Sequence, residues 1–134
     1  DARLTELGIT LPDAPAPAAN YVPYVQSGDL LFVSGQIAAG PDGLIRGRLG
    51  DGMDVAQGAQ AARACGLSLL AQARAAAGSL DRIARVVKLT GFVASTPDFT
   101  DQPEVVNGCS DLMVEVFGDK GRHARAAVSA AAPA

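Results

Sequence analysis

The chain of 134 residues has no tryptophan, a single histidine and two cysteines, and its aromatic complement stops at four phenylalanines and two tyrosines. Each shortage removes a class of function. Proteins that hold single-stranded nucleic acid stack bases on aromatic rings and track the phosphates with a basic groove. So few rings and a formal net charge of −3 supply neither, and no nucleic-acid partner is expected. His123 has no second histidine beside it, and Cys65 and Cys109 stand in no metal-ligand spacing. A zinc or iron site would lack its usual donors, so no metal is expected. The two cysteines read as reduced, buried small hydrophobes, which places the chain in a reducing compartment, the cytoplasm. No apolar run approaches the roughly 20 residues that span a bilayer, and no membrane partner is expected.

What is present has a globular balance, with 49% apolar and 19% charged residues. By size, residues 1–134 form one domain with enough chain to bury a core. The first residue is Asp1 rather than methionine, from which N-terminal processing is expected. Residues 1–19 read as an extended leader, with a short amphipathic piece at Leu4–Leu7 and then a connector rich in proline and alanine. Tyr21–Gln26 and Leu30–Ile37 are strand candidates around the tight turn Ser27-Gly28-Asp29. Leu44–Leu49 is a further short strand candidate after Pro41-Asp42-Gly43, with Arg46 and Arg48 on one solvated face.

Asp54, with Gln57 three residues on, opens a long helix as a capping box. Val55, Ala59, Ala62, Cys65, Leu69, Ala73 and Ala76 recur at helical steps as its apolar stripe, and Gly78 closes it. Arg82–Ser95 reads as a central strand, where Lys88 is a rim charge rather than a catalytic amine. Asp101 and Glu104 start a second helix whose buried face is Val105, Val106, Cys109, Leu112, Met113, Val116 and Phe117, with Asn107 pointing elsewhere and Gly118 ending it. Arg125–Ala132 follows as a strand, with another expected after Ala134. The order predicts an α+β fold, a mixed sheet with two helices on one face. Its other face would be apolar and bare unless a second subunit covers it.

The last fourteen letters, GRHARAAVSAAAPA, set Arg125 ahead of a run of small residues. An arginine so placed can be partly buried without crowding, leaving a planar fork of donors for a carboxylate or phosphate. Five segments then combine: Pro23-Tyr24-Val25-Gln26; Leu31-Phe32-Val33-Ser34-Gly35-Gln36-Ile37; Val86 to Val93; Asp98-Phe99 with Asn107; and Ala124-Arg125-Ala126-Ala127-Val128. In that order and spacing, from about Tyr21 onward, the chain resembles a divergent branch of the RidA/YjgF family of reactive-intermediate deaminases.

The resemblance implies a chorismate-mutase-like fold, a homotrimer with clefts between subunits, and no cofactor. It implies hydrolysis of small 2-imino or enamino acids, such as 2-aminoacrylate, to 2-oxo acids and ammonia. Arg125 would be the catalytic clamp on the substrate carboxylate, a charge-assisted pair of about 2–3 kcal/mol. Tyr24, Ser34, Gly35 and Asn107 would complete the binding pocket. Three departures stand out. The glutamate that holds the attacking water in the family falls beyond Ala134, Ala127 replaces a common cysteine, and His123 replaces a common proline. The first two suit an alternative, a trimer that binds or senses a 2-oxo acid without turnover; a further alternative, the RNA cleavage ascribed to some relatives, is disfavoured by the acidic charge, the few aromatics and the single histidine.

Overall fold

A computed structural model describes residues 1–14, 21–36, 38–40, 43–44 and 47–130. Its elements run α1 (Ala2–Leu7), β1 (Tyr24–Ser27), β2 (Leu30–Val33), β3 (Ala39–Gly40), β4 (Gly43–Leu44), β5 (Arg48–Leu49), β6 (Gly52–Met53), α2 (Val55–Ala77), β7 (Lys88–Ala94), α3 (Gln102–Phe117) and β8 (Ala124–Ala130). Single turns of 3-10 helix at Leu80–Arg82 and Gly118–Gly121 follow α2 and α3. The chain gathers into two units, Asp1–Gln36 with Leu67–Ala84, and Ile37–Gly66 with Arg85–Ala134.

Among the described residues the strands form four two-stranded ladders, where one mixed sheet was expected. The glycine-rich stretch before α2 explains part of the difference. Gly50 and Gly52 take φ of 86° and 90°, which turns the chain out of extended geometry and limits β5 and β6 to two residues each. The expectations for Ile37, Pro41-Asp42, Arg46 and the stretch past Ala130 lie outside the described residues.

In the first unit, α1 buries Leu4 and ends at Gly8, whose φ of 69° is the left-handed cap. Six residues of the expected extended leader are therefore helical. The Asp1 carboxylate accepts from Ser79 Oγ and the Leu80 amide, and Ser79 in turn caps the 3-10 turn by accepting from the Asp81 amide. β1 and β2 pair antiparallel with Ser27 opposite Leu30, leaving a two-residue loop. Gly28 carries the loop's only positive φ, 60°, the pattern of a type II′ turn. The ladder starts at Tyr24 rather than Tyr21, since Pro23 has no amide to donate; its carbonyl still accepts from the Ser34 amide at 2.9 Å.

In the second unit the capping box forms as expected. The Asp54 amide donates to Gln57 Oε1 at 3.0 Å, and the Gln57 amide donates to Asp54 Oδ1 at 2.8 Å. The expected apolar stripe of α2 is only half-buried along its length; within this unit the buried positions of the helix are Gly58 and Gly66. A Cβ on Gly66 would lie 2.9 Å from Leu112 Cδ2, and one on Gly58 would lie 3.1 Å from Val105 Cγ2. Counting apolar side chains locates the wrong line because the closest approach is made where side chains are missing. α3 answers with Gly108, whose hypothetical Cβ would sit 2.0 Å from the Ala59 carbonyl oxygen.

The face of α3 follows the sequence closely, with Val105, Val106, Cys109, Leu112, Met113 and Val116 buried and Phe117 half-buried. Asp101 is the N-cap but makes no capping bond. Its backbone (φ −94°, ψ 27°) is not the extended form that aims a cap side chain at the next turn. Leu49, Val93, Val105 and Val106 form a core cluster with Met53, Val55, Phe99 and Ala127 against it. β7 and β8 pair in parallel through the α3 crossover, Leu89 opposite Arg125 and Phe92 opposite Val128. Gly91 brings β7 onto α3, since a Cβ there would meet Val106 Cγ2 at 2.6 Å.

Gly108→Ala is expected to lower stability by about 1–3 kcal/mol or more in urea unfolding, because a backbone carbonyl blocks the added methyl. Gly35→Ala, into open space, is expected to change it by about 0.5 kcal/mol or less.

Candidate active site

α3 carries two different stripes. Opposite its apolar face, Asn107, Ser110, Asp111 and Val114 follow one another at steps of three, one and three, so they share a polar side of the helix. β8 runs past that side. Alternation along the strand turns Ala124, Ala126 and Val128 one way and Arg125, Ala127 and Ser129 the other, toward α3. Ala127 thereby joins the core cluster, and Arg125, at the strand's start, reaches the polar stripe.

Arg125 Nη1 donates to Asn107 Oδ1 at 2.7 Å and to Ser110 Oγ at 3.2 Å. Both bonds use the same nitrogen. Nη2 and Nε have no partner among the described residues, so the edge that fits a carboxylate side-on is held in place and open. Arg122 takes no part in this network: it bonds Asp119 Oδ1 at 3.3 Å with its side chain 70% exposed.

His123 extends the network. Its Nδ1 lies 2.5 Å from the Gly121 carbonyl oxygen and its Nε2 2.9 Å from Ser110 Oγ. A carbonyl only accepts, so Nδ1 carries a proton, and in the neutral tautomer that this selects Nε2 accepts the Ser110 hydroxyl proton. The polarity then runs one way, Arg125 to Ser110 to His123 to Gly121. Ser110, Asp111, Val114, Arg122, His123 and Arg125 line an open cleft of about 270 Å³.

Of the residues singled out in the sequence, Asn107 and Arg125 are brought together. Tyr24, Ser34 and Gly35 belong to the first unit. Tyr24 heads β1 opposite Val33, half-buried. Ser34 donates its hydroxyl to the Val22 carbonyl at 2.7 Å, and its own carbonyl accepts from Gln36 Nε2 at 2.9 Å. Gly35 is exposed with no close neighbour. Sequence reasoning missed Ser110 altogether, although its place one turn after Asn107 was a usable signal.

Other reactive groups are set aside by their surroundings. Burial pushes the Cys65 thiol up to about 11, and burial with the neighbouring Cys65 pushes Cys109 up to about 12, so neither is a thiolate near neutrality. The Thr96 hydroxyl holds the exposed Asp98 carboxyl below its ordinary range, as befits a turn anchor. Among the described residues no three histidine, cysteine or carboxylate side chains gather as metal ligands, and no helix is long and apolar enough to cross a membrane.

The chain and its fold have counterparts among known proteins. The family model described as "YjgF/chorismate mutase-like, putative endoribonuclease" matches residues 1–132. Protein TCP17 of Trypanosoma cruzi is 54% identical over 132 residues, 97% of this chain and 82% of its own length. A protein of unknown function from Agrobacterium tumefaciens superposes with a TM-score of 0.86 at 48% identity, covering 97% of this chain and 80% of that one. A protein of Shewanella oneidensis described as "a putative endoribonuclease" superposes with a TM-score of 0.93 at 34% identity, over 97% of this chain and 87% of that one.

The chain's one histidine gives an uncluttered test of the network. Long-range ¹H–¹⁵N NMR is expected to show the neutral ring of His123 with its proton on Nδ1. The Nε2–H form would mean that Ser110 does not donate to it.

Proposed function

The chain belongs to the YjgF/chorismate mutase-like family, and from that premise we propose that it is a hydrolytic deaminase of small 2-imino or enamino acids, giving 2-oxo acids and ammonia. The observation that carries this reading is Arg125. Asn107 and Ser110 restrain one of its nitrogens while the Nε–Nη2 edge stays open above a cleft sized for a small acid. The carboxylate of an imino acid would pair with that edge in two parallel bonds. Fixing it there holds the adjacent C=N carbon for attack by water, a gain in orientation that needs no powerful nucleophile. Tyr24, Ser34 and Gly35 are proposed as further substrate-binding residues on the strength of the family resemblance alone.

A homotrimer is part of the proposal. Beside the cleft strand, Phe92 is 73% exposed and its ladder partner Val128 43% exposed, with Val87 at 58% on the approach to β7. An apolar face of this kind is ordinarily covered by another molecule, here a second copy. The alternative reading, a trimer that binds a 2-oxo acid without turning anything over, draws on Ala127. That residue packs into the core where many relatives carry a cysteine, and it offers the cleft no thiol. Cleavage of RNA is the weakest reading, since the chain carries a net charge of −3 and one histidine.

The direct test generates the imino acid with an amino-acid oxidase and follows release of the 2-oxo acid. The protein is expected to accelerate release, and Arg125→Ala to lower kcat/KM by about 30- to 150-fold, the equivalent of 2–3 kcal/mol. Saturable thermal stabilisation by 2-oxobutyrate without any acceleration would favour the binding reading. Phe92→Asp is expected to shift the mass in light scattering from three chains toward one; an unchanged mass would remove this face from the interface.

A further inference from the structure

Hydrolysis of an imine needs a group to take a proton from the adding water and return one to the leaving nitrogen, and the carboxylate clamp cannot do this. Arginine stays protonated and has no acceptor. We propose that Ser110 and His123 are the proton-transfer arm of the cleft, with Ser110 as the catalytic residue that meets the water and His123 as the positioning base behind it. The inference rests on the deaminase reading and names the residues that would move its protons.

Two observations support it. First, the Gly121 carbonyl holds the Nδ1 proton of His123, which leaves Nε2 as the lone pair facing Ser110. Second, Ser110 sits inside α3, where a serine hydroxyl often bonds back to its own helix. Here Oγ instead bridges His123 Nε2 at 2.9 Å and Arg125 Nη1 at 3.2 Å. It is thus beside both a base and the cation that orients the substrate.

The step balances without a co-reactant. With the substrate as its iminium, Ser110 Oγ takes a proton from water while its own proton passes to His123 Nε2. The resulting hydroxide oxygen bonds to the imino carbon, and the C=N π pair moves onto nitrogen. The imidazolium returns its proton through Ser110 to that nitrogen. The C–N bond then breaks, with its electron pair leaving on ammonia. The hydroxyl on carbon becomes the carbonyl as its proton goes to Ser110 and His123, from which solvent removes it.

The experiment compares the full chain with Ser110→Ala, Ser110→Thr, His123→Gln and His123→Gly in the oxidase-coupled assay, with 2-oxobutyrate thermal shift on each to show that the cleft still binds. Ser110→Ala and His123→Gln are expected to lower kcat by about 100-fold or more, within the usual span for a general base, with KM changed by less than about threefold. Ser110→Thr, which keeps a hydroxyl, is expected to recover most of the rate. Imidazole in the buffer is expected to restore His123→Gly in proportion to its concentration, a response that loss of structure would not produce. Wild-type turnover that survives in Ser110→Ala, a raised KM with kcat unchanged, or no rescue by imidazole in a variant that still binds 2-oxobutyrate would overturn the proton arm and leave the deaminase reading standing. Absence of wild-type turnover would overturn both.

Discussion

The contact on which the second unit depends is made by an atom that is missing. Gly108 has no Cβ, so α3 can lie with its backbone against the Ala59 carbonyl of α2, an approach that leaves no room even for a methyl group. That depth directs Val105, Val106, Cys109 and Leu112 inward and leaves Asn107 and Ser110 on the outer flank. Gly91 does for β7 what Gly108 does for α2, and the parallel ladder then carries β8 and Arg125 to the flank where Asn107 waits. The cleft is therefore a consequence of close packing. Its polar groups sit where they do because glycines on the other side of the same elements allow the backbones to meet.

This division of labour within α3 separates stability from chemistry. The apolar side buries Leu112 completely and Cys109 nearly so. The other side bonds to arginine and, through serine, to histidine. The Arg63–Glu115 ion pair between α2 and α3, with both side chains more than a third exposed, adds little to that packing. The residues that hold the fold together and those that line the cleft overlap hardly at all, apart from the helix that carries both sets.

Much of this was legible in the sequence where the signal is local. Asp54 and Gln57 announced the start of α2, Ser27-Gly28-Asp29 announced the hairpin, and the three-and-four spacing of α3 named its buried side chains almost without error. Asn107, read as facing away from the core, turned out to be the partner of Arg125. What failed did so for physical reasons. Asp101 has the right letter for a cap but the wrong backbone angles, which no spacing reveals. Within the second unit the buried positions of α2 are Gly58 and Gly66, invisible to any count of apolar residues. Ser110 had one local signal, its place a turn after Asn107; the neighbours that give it meaning, His123 and Arg125, come from beyond the helix, where no spacing within α3 reveals them.

The parallel pairing of β7 with β8 bears on how the molecule assembles. Antiparallel strands such as β1 and β2 meet across two residues and can zip early. Lys88 and Ala124 can pair only after all of α3 has been laid down between them, so closing that ladder costs loop entropy before any bond compensates. The helix must form and pack first, and the strand that carries Arg125 is then among the last to be fixed. The cleft is in this sense a late product of folding, assembled after the hydrophobic side of α3 has settled.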